Sequence, residues 1–309
     1  MTLTPRFRVS PPRFRWFAFA SFLSMIVIVL TGGAVRLTGS GLGCPDWPTC
    51  YRHQIAGSWS IHPLIEYTNR IVTIALVIVT AVTLVAAWLR TERRRDLIGF
   101  AGLLVLGVFA DAILGAFVVY SKLNPWLVSL HMILSLAMVV VGAILYHRSK
   151  YVYGPGARAD VRDPHFRLIA RLLWIPFILV LIAGTATTGS GPHAGSAQGQ
   201  LVARRLPFSF ASAAWVHSVL AVLFLGLVTG LVFAIWRSSV PEALRLGVRR
   251  LVVIALIQAI LGFGQYLTHV PVVLVELHIA GAVSLCIGVT QFHLRQTAHD
   301  RVPGTRTGA

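Results

Sequence analysis

Long apolar stretches alternate with short polar segments along most of the chain. A helix needs about 20 consecutive, mainly apolar residues to cross the hydrocarbon core of a bilayer, and eight stretches approach or exceed that length. They run near Trp16–Val35, Leu64–Leu89, Leu97–Tyr120, Trp126–Tyr146, Leu168–Thr188, Ala211–Trp236, Leu251–Thr268 and Val272–His293. The pattern therefore predicts an all-α integral membrane protein with eight transmembrane helices.

The two halves of the chain share short sequences at a nearly constant offset. Two tetrapeptides recur in order, Thr38–Gly41 as Thr188–Gly191 and Ala112–Gly115 as Ala259–Gly262. A histidine, His131 or His278, follows the second tetrapeptide by 16 residues in both halves. We expect a duplication, with residues 1–150 and 151–309 as two tandem four-helix bundles. Their pseudo-two-fold axis is expected to run along the membrane normal.

Composition and charge agree with this architecture and exclude another class of function. Only 12% of the residues are charged, against about 25% in an ordinary soluble domain. The net charge of +17 comes from basic residues that punctuate the apolar stretches, so the lipid bilayer is the predicted partner and nucleic acid is not. Of the 27 lysines and arginines, 21 lie in the two terminal segments and the second, fourth and sixth connections. The positive-inside rule then predicts cytoplasmic termini and outside first and fifth connections. The Arg-rich N-terminal segment weakly resembles a transit peptide, but it is short and fits the positive-inside pattern, which favours a bacterial cell membrane over a mitochondrial one.

Three histidines lie at comparable depths on spans that run in the same direction. His131, His217 and His278 fall on the fourth, sixth and eighth spans. Ionisable groups inside a membrane indicate function, and facing imidazoles in a helix bundle are suited to serve as axial ligands of a haem. The alternative is that each histidine is only hydrogen-bonded between helices. Zinc is disfavoured because it needs further ligands nearby, and Glu276 is the one carboxylate near that depth.

The two halves differ at one position of this histidine pattern. Under an offset of 148 residues, His217 corresponds to Asn69. The C-terminal half thus has the pair His217 and His278, whereas in the N-terminal half His131 faces an asparagine. A haem with two histidine ligands carries electrons but has no open coordination position, and a haem held by one histidine leaves a face open to chemistry.

Four other polar residues each have two interpretations. Glu66, on the same helix face as Asn69, either exchanges protons or stabilises charge beside a reacting haem, or is solvated at a helix start. Asp111, deep in the third span, is either structural or part of a polar path. Arg36 and Arg70 either bind haem propionates or extend to the membrane interface.

Two of the three cysteines lie close together in the first connection. Cys44 and Cys50 are separated by five residues, two of them prolines, which favours a turn in a compartment that permits disulfides. We expect a disulfide between them, either structural or redox-active. Cys286, in the eighth span, is expected to be a small buried apolar residue.

The residues of the first connection resemble a known family. The stretch Thr31–Pro48, which reads TGGAVRLTGSGLGCPDWP, strongly resembles the first outside loop of haem A synthases, and Thr188–Gly195 is similar to a later loop of the same family. The duplicated eight-span plan is also similar. The resemblance implies an enzyme that oxidises the C8 methyl group of haem O to the formyl group of haem A by successive hydroxylations. It also implies a link to terminal oxidase assembly.

The resemblance assigns roles to particular residues and suggests partners. It implies a haem b cofactor on His217 and His278, substrate haem iron on His131, a catalytic Glu66, and a cysteine pair at Cys44 and Cys50. Beyond the substrate haem O, the implied partners are haem O synthase, terminal oxidase assembly factors and an electron donor.

The chain departs from the family pattern at Asn69. The family usually has Glu-x-x-His-Arg, whereas residues 66–70 read EYTNR, so the second axial histidine of the N-terminal site is absent. An open iron face, a water ligand or another group such as His62 is expected in its place. Two other functions remain as alternatives, a membrane b-type cytochrome that carries electrons and a haem transporter or chaperone.

Overall fold

The computed structural model describes residues 8–44, 46–50, 60–150, 159–160, 164–196, 203–238, 240, 242–295 and 297–298. Within these ranges the chain forms nine helices and one pair of two-residue strands. They are α1 (Pro11–Leu37), α2 (Ile61–Trp88), α3 (Arg95–Tyr120), α4 (Pro125–Ser149), β1 (Ala159–Asp160), α5 (Pro164–Leu172), α6 (Trp174–Ser190), α7 (Phe210–Trp236), α8 (Glu242–Leu267), α9 (Val272–Leu294) and β2 (Thr297–Ala298). The terminal basic residues Arg6, Arg301 and Arg306, which contributed to the predicted orientation, lie outside the described residues.

The prediction of eight spans is confirmed. Eight helical segments of 23 to 28 residues have windows of mean hydropathy between 1.9 and 2.6, and only 22–28% of each window is buried inside the protein. Most of this apolar surface therefore faces outward, as expected where lipid and not water surrounds the helices. The chain has the architecture of a multi-pass membrane protein.

The fifth span is interrupted near its start, which the hydropathy pattern did not predict. Proline 176 has no N–H to donate to the carbonyl of Leu172, four residues earlier, and the regular helix is broken at Leu173 between α5 and α6. The chain keeps its direction because Leu173 N donates to Ile169 O at 2.9 Å and Phe177 N donates to Leu173 O at 3.3 Å.

The helix of the seventh span begins nine residues before the predicted Leu251, at Glu242. The arginines of this segment lower its hydropathy and end the predicted span, but the helix continues through them. Leu244, Val248 and Leu251 are at most 1% exposed, and their spacing of four and three residues places them on one helix face. Burial of that face extends the helix beyond its most apolar part.

The helices form two groups that share one hydrophobic core. In the first half α1 packs against α2 and α4, and α3 packs against the same two helices. In the second half α6 to α9 pack in chain order, with α5 against α6 and α9. The halves meet where α4 contacts α6 and α9, and where α1 contacts α9. Large, fully buried side chains of this core come from both halves, among them Phe14, Met25, Leu104, Phe177, Val228 and Phe292.

The turns that precede α4 and α9 have the same uncommon backbone conformation. Lys122 and Leu123 have φ angles of 56° and 61°, and His269 and Val270 have φ angles of 59° and 62°. Residues other than glycine seldom adopt this left-handed conformation. The two pairs are 147 residues apart, which is the offset of the second repeated tetrapeptide.

At one end of the bundle, hydrogen bonds join the first half of the chain to the second. Arg36 donates to His193 O at 3.0 Å and to Thr188 O at 2.9 Å. Beside it Gly41 N donates to Gly195 O at 2.9 Å. Gly195 has a φ of 97°, which favours glycine there. The repeated glycine-rich segments thus meet each other across the halves.

At the opposite end, charged groups tie the helix ends together. Arg94 and Arg148 lie 2.6 and 3.2 Å from the same Asp96 oxygen, which joins the start of α3 to the end of α4. The strands β1 and β2 form an antiparallel pair. This pair of two-residue strands was not predicted, and it leaves the fold all-helical in its spans.

Candidate functional site

The two histidines of the second half face each other between α7 and α9. The ring centroids of His217 and His278 are 6.1 Å apart, and the ring planes are inclined by 81°. A metal–imidazole bond is about 2 Å long and the ring centre lies about 1 Å beyond the nitrogen, so rings that share one metal have centroids about 6 Å apart. The observed separation matches that of two ligands on one iron.

Details around these rings also fit a haem. His217 Nδ1 lies 3.1 Å from Val180 O, and since a carbonyl only accepts, Nδ1 carries the hydrogen and Nε2 is left for a metal. His278 Nδ1 is buried without a hydrogen-bond partner among the described residues. A Cβ on Gly184 or Gly262 would lie 3.1 or 3.3 Å from the nearest ring carbon, so both rings occupy space that glycine leaves. These residues fit a haem with two histidine ligands.

In the first half, a single histidine is paired with a carboxylate. His131, on α4, has its Nδ1 2.7 Å from Oδ1 of Asp111 on α3. Ser135, one turn further along α4, donates its hydroxyl hydrogen to Asp111 Oδ2. Asp111 was predicted to be either structural or part of a polar path, and the structure places it directly beside the proposed iron ligand.

Asn69, which stands where the family usually has a histidine, is hydrogen-bonded to a neighbouring helix. Thr31, on α1, donates to Asn69 Oδ1 at 2.8 Å. His62, the suggested substitute ligand, has its Nδ1 3.0 Å from the Ser40 hydroxyl. That hydroxyl is itself 2.8 Å from Thr38 Oγ1. The side chains of Asn69 and His62 therefore have partners of their own, and iron ligation by His62 stays a prediction.

Glu66 is buried at the start of α2. Only 5% of the residue is exposed, so a solvated carboxylate is not what the structure shows. Its Oε2 accepts from Cys44 N at 2.8 Å, and its Oε1 lies 2.6 Å from Arg70 Nη2. The carboxylate is held in one orientation by the first connection on one side and by its own helix on the other.

Arg70 holds the disulfide loop, by which we mean residues 44–50. The predicted disulfide between Cys44 and Cys50 is present, and both cysteines are 0% exposed. Arg70 donates to the main-chain oxygens of Asp46 at 2.7 Å and of Thr49 at 2.8 Å. Weaker contacts of 3.3 Å reach Cys44 O and Pro48 O. Arg70 thus links Glu66 to the loop.

The sequence did not predict the main contacts of Arg36 and Arg70. Arg36 and Arg70 were considered as propionate ligands or interfacial groups, and in the structure both donate to main-chain oxygens of connecting loops. Propionate binding by these residues stays a prediction.

The sequence did mark the glycines that lie beside the rings of His131 and His278, because Gly115 and Gly262 belong to the repeated tetrapeptide. A Cβ on Gly115 would lie 3.4 Å from His131 Cε1.

Comparison with known proteins gives one family and several relatives. A model of the family described as cytochrome oxidase assembly protein matches residues 15–60 and 54–289. A protein of Lysinibacillus sphaericus (strain C3-41) named Heme A synthase is 34% identical over 125 residues, 40% of each chain. One of the same name from Exiguobacterium sibiricum is 31% identical over 52% of this chain and 55% of the relative.

A third relative aligns over most of both chains. A Bacillus cereus (strain 03BB102) protein, also named Heme A synthase, is 22% identical over 272 residues, which is 85% of this chain and 87% of the relative. By contrast, the chain spans about half the length of the two more similar relatives.

Proposed function

Because the chain belongs to the cytochrome oxidase assembly protein family, we propose that it is a haem A synthase. In this reaction the C8 methyl group of haem O is oxidised to a formyl group by successive hydroxylations. The observation that carries the proposal is the difference between the halves. Two histidines with centroids 6.1 Å apart suit a cofactor without an open position, and His131 with Asn69 suits a substrate haem with one open face.

The alternatives account for less of this geometry. An electron-carrying cytochrome explains the pair His217 and His278 but not a second half with one histidine and a buried carboxylate. A haem transporter or chaperone explains two related halves but not their different ligand sets.

We also infer a duplication and an orientation. The matched left-handed turns before α4 and α9, together with the matched histidines, support two four-helix halves, residues 1–150 and 151–309, related by an axis along the membrane normal. The ion pairs of Arg94 and Arg148 lie at the end opposite the disulfide. With the positive-inside rule, this supports cytoplasmic termini and an outward-facing disulfide loop in the cell membrane.

In the proposed mechanism the residues of each half have distinct tasks. His217 and His278 would hold haem b, which would supply a one-electron redox centre. His131 would bind the iron of the substrate haem O, and Asn69 offers it no second histidine. Glu66, fixed by Arg70 and Cys44 N, exchanges protons with the reacting methyl group or stabilises positive charge that develops there.

The partners follow from this reaction. Haem O is the substrate, haem O synthase is the enzyme expected to deliver it, and terminal oxidase assembly factors are expected to receive the product. An oxidant is required, because conversion of the methyl group to a formyl group removes electrons from haem O, and an electron donor is the further partner expected for the haem b centre.

The proposed function is tested by the product. The chain is expressed in a host that makes haem O but no haem A, and extracted haems are separated by chromatography with mass detection. We expect a new peak at the mass of haem A that is absent without the chain. Haem O and haem b alone, with haem b stably bound to the expressed protein, would refute the assignment if a known family member makes haem A in the same host.

The substitution Asn69→His should change the coordination of haem in the first half. A histidine at this position matches His217 of the second half and supplies the missing axial ligand, so the iron loses its open position. We expect a high-spin haem that binds carbon monoxide to become low-spin and to lose that binding. The measurement is the carbon monoxide difference spectrum of the reduced, detergent-solubilised protein after addition of haem b.

The control for this prediction is Asn69→Ala. It removes the same amide and its bond to Thr31 without adding a ligand, so carbon monoxide binding should persist. An unchanged difference spectrum in Asn69→His would show that position 69 does not face the iron.

A further inference from the structure

Asp111 is a carboxylate inside a membrane-spanning helix, where such groups are costly and usually have partners or a function. Its side chain is 16% exposed. One oxygen lies 2.7 Å from His131 Nδ1 and the other accepts from the Ser135 hydroxyl. An ionised Asp111 can only accept a hydrogen bond, so a bond between these two atoms requires the hydrogen on Nδ1. Nε2 is then the ring nitrogen that is available to a metal.

The same helix also contacts the far edge of the ring. Gly115 follows Asp111 by four residues, so the two lie on one face of α3. A Cβ on Gly115 would lie 3.4 Å from His131 Cε1 and 3.9 Å from Nε2. The carboxylate thus lies against one edge of the imidazole, and Gly115 lies beside the edge that carries Nε2. Together they flank the ring.

The second half has the same scaffold with different chemistry. Gln258 and Gly262 occupy the matched positions, and a Cβ on Gly262 would lie 3.3 Å from His278 Cε1. Gln258, however, donates to the main-chain oxygen of His278 at 3.0 Å, and not to its ring. The position of Ser135 is taken by Ala282. The carboxylate and its hydroxyl partner therefore occur only in the half with a single histidine.

We propose that Asp111 is a positioning residue for the substrate haem. It fixes the hydrogen of His131 on Nδ1, aims Nε2 at the iron, and strengthens the imidazole as a donor, as carboxylate partners of metal-bound histidines do. A stronger bond on one side compensates for the second histidine that Asn69 replaces. This inference rests on the proposed function, in which His131 is the iron ligand.

A test uses the full-length, detergent-solubilised protein with haem b as the probe. In the ferrous state a haem held by one histidine gives an iron–histidine stretching band in resonance Raman spectra, and a haem held by two does not. The band therefore reports on the first half alone. We expect Asp111→Asn to move the band to lower wavenumber and to weaken haem b binding in this half about 10- to 100-fold. Asp111→Glu should retain part of the wild-type band position.

Two internal controls separate positioning from folding. The low-spin haem on His217 and His278 reports whether a variant is folded, and Gln258→Glu, which places a carboxylate at the matched position, should leave the band unchanged. If Asp111→Asn does not fold, Asp111→Glu serves instead, with a smaller shift expected.

The outcomes distinguish this inference from the proposed function. A folded Asp111 variant with an unshifted band would show that the carboxylate is only a structural partner, and the enzyme assignment would stand. A band that survives in His131→Ala, or is missing from the unmodified protein, would overturn ligation by His131 alone and this inference with it. Product formation measures the enzyme assignment independently.

Discussion

The variant Glu66→Gln is expected to lower haem A formation about 100- to 10,000-fold, the usual contribution of a positioned acid or base. Glutamine keeps the size of the side chain and one oxygen acceptor, but it has no carboxylate to exchange protons or stabilise charge. The haem b of the second half should be unaffected, since Glu66 lies on α2 and contacts the disulfide loop. The measurement is the amount of haem A relative to protein-bound haem b.

Two controls separate chemistry from loop support in this prediction. Thr68→Ala alters the same turn of α2, and because the Thr68 hydroxyl bonds within the described residues only to Leu64 O of its own helix, it should leave product formation unchanged. Arg70→Ala releases the disulfide loop while the Glu66 carboxylate remains. If Glu66 only supports the loop, Glu66→Gln and Arg70→Ala will reduce product equally, and normal turnover in Glu66→Gln would remove its catalytic role altogether.

The variant His217→Ala is expected to abolish the low-spin haem of the purified protein. His278 would then be the sole histidine on that iron. The iron would lose one ligand and would no longer be six-coordinate. Absorption spectra and haem b content per chain measure the effect. Since this haem is proposed to exchange electrons during turnover, product formation should be lost as well.

Histidine variants elsewhere show whether this effect is specific. His147→Ala changes a histidine at the opposite end of α4 from His131 and should keep the full low-spin spectrum. His131→Ala should also keep it but stop product formation, because it alters the other half. A full haem content in His217→Ala would contradict the assignment of the cofactor site.

The spans were predictable because hydropathy is averaged along the chain and does not depend on which helices pack together. The interruption at Leu173 has a local cause in a proline, but the early start of α8 depends on burial of Leu244 and Val248, which only packing determines. The repeat relates His278 to His131, and the pairing of His217 with His278 was predictable because both lie at comparable depths on spans that run in the same direction. The same repeat located the mismatch at Asn69.

Other parts of the candidate site depend on geometry that a sequence does not contain. Asp111 meets His131 only because α3 and α4 have a particular rotation about their axes, and hydropathy is nearly the same all around these helices. Arg36 and Arg70 bind main-chain oxygens, which every residue carries, so no side-chain pattern marks their partners. Their role became visible only with the path of the loops.

The contacts of Arg70 determine which changes the disulfide loop tolerates in evolution. The four loop oxygens within its reach belong to the main chain, so replacing the side chains of Asp46 or Thr49 leaves the acceptors in place. An insertion or deletion between the cysteines would instead move those oxygens away from the guanidinium. We therefore expect the loop to tolerate substitutions better than changes in its length.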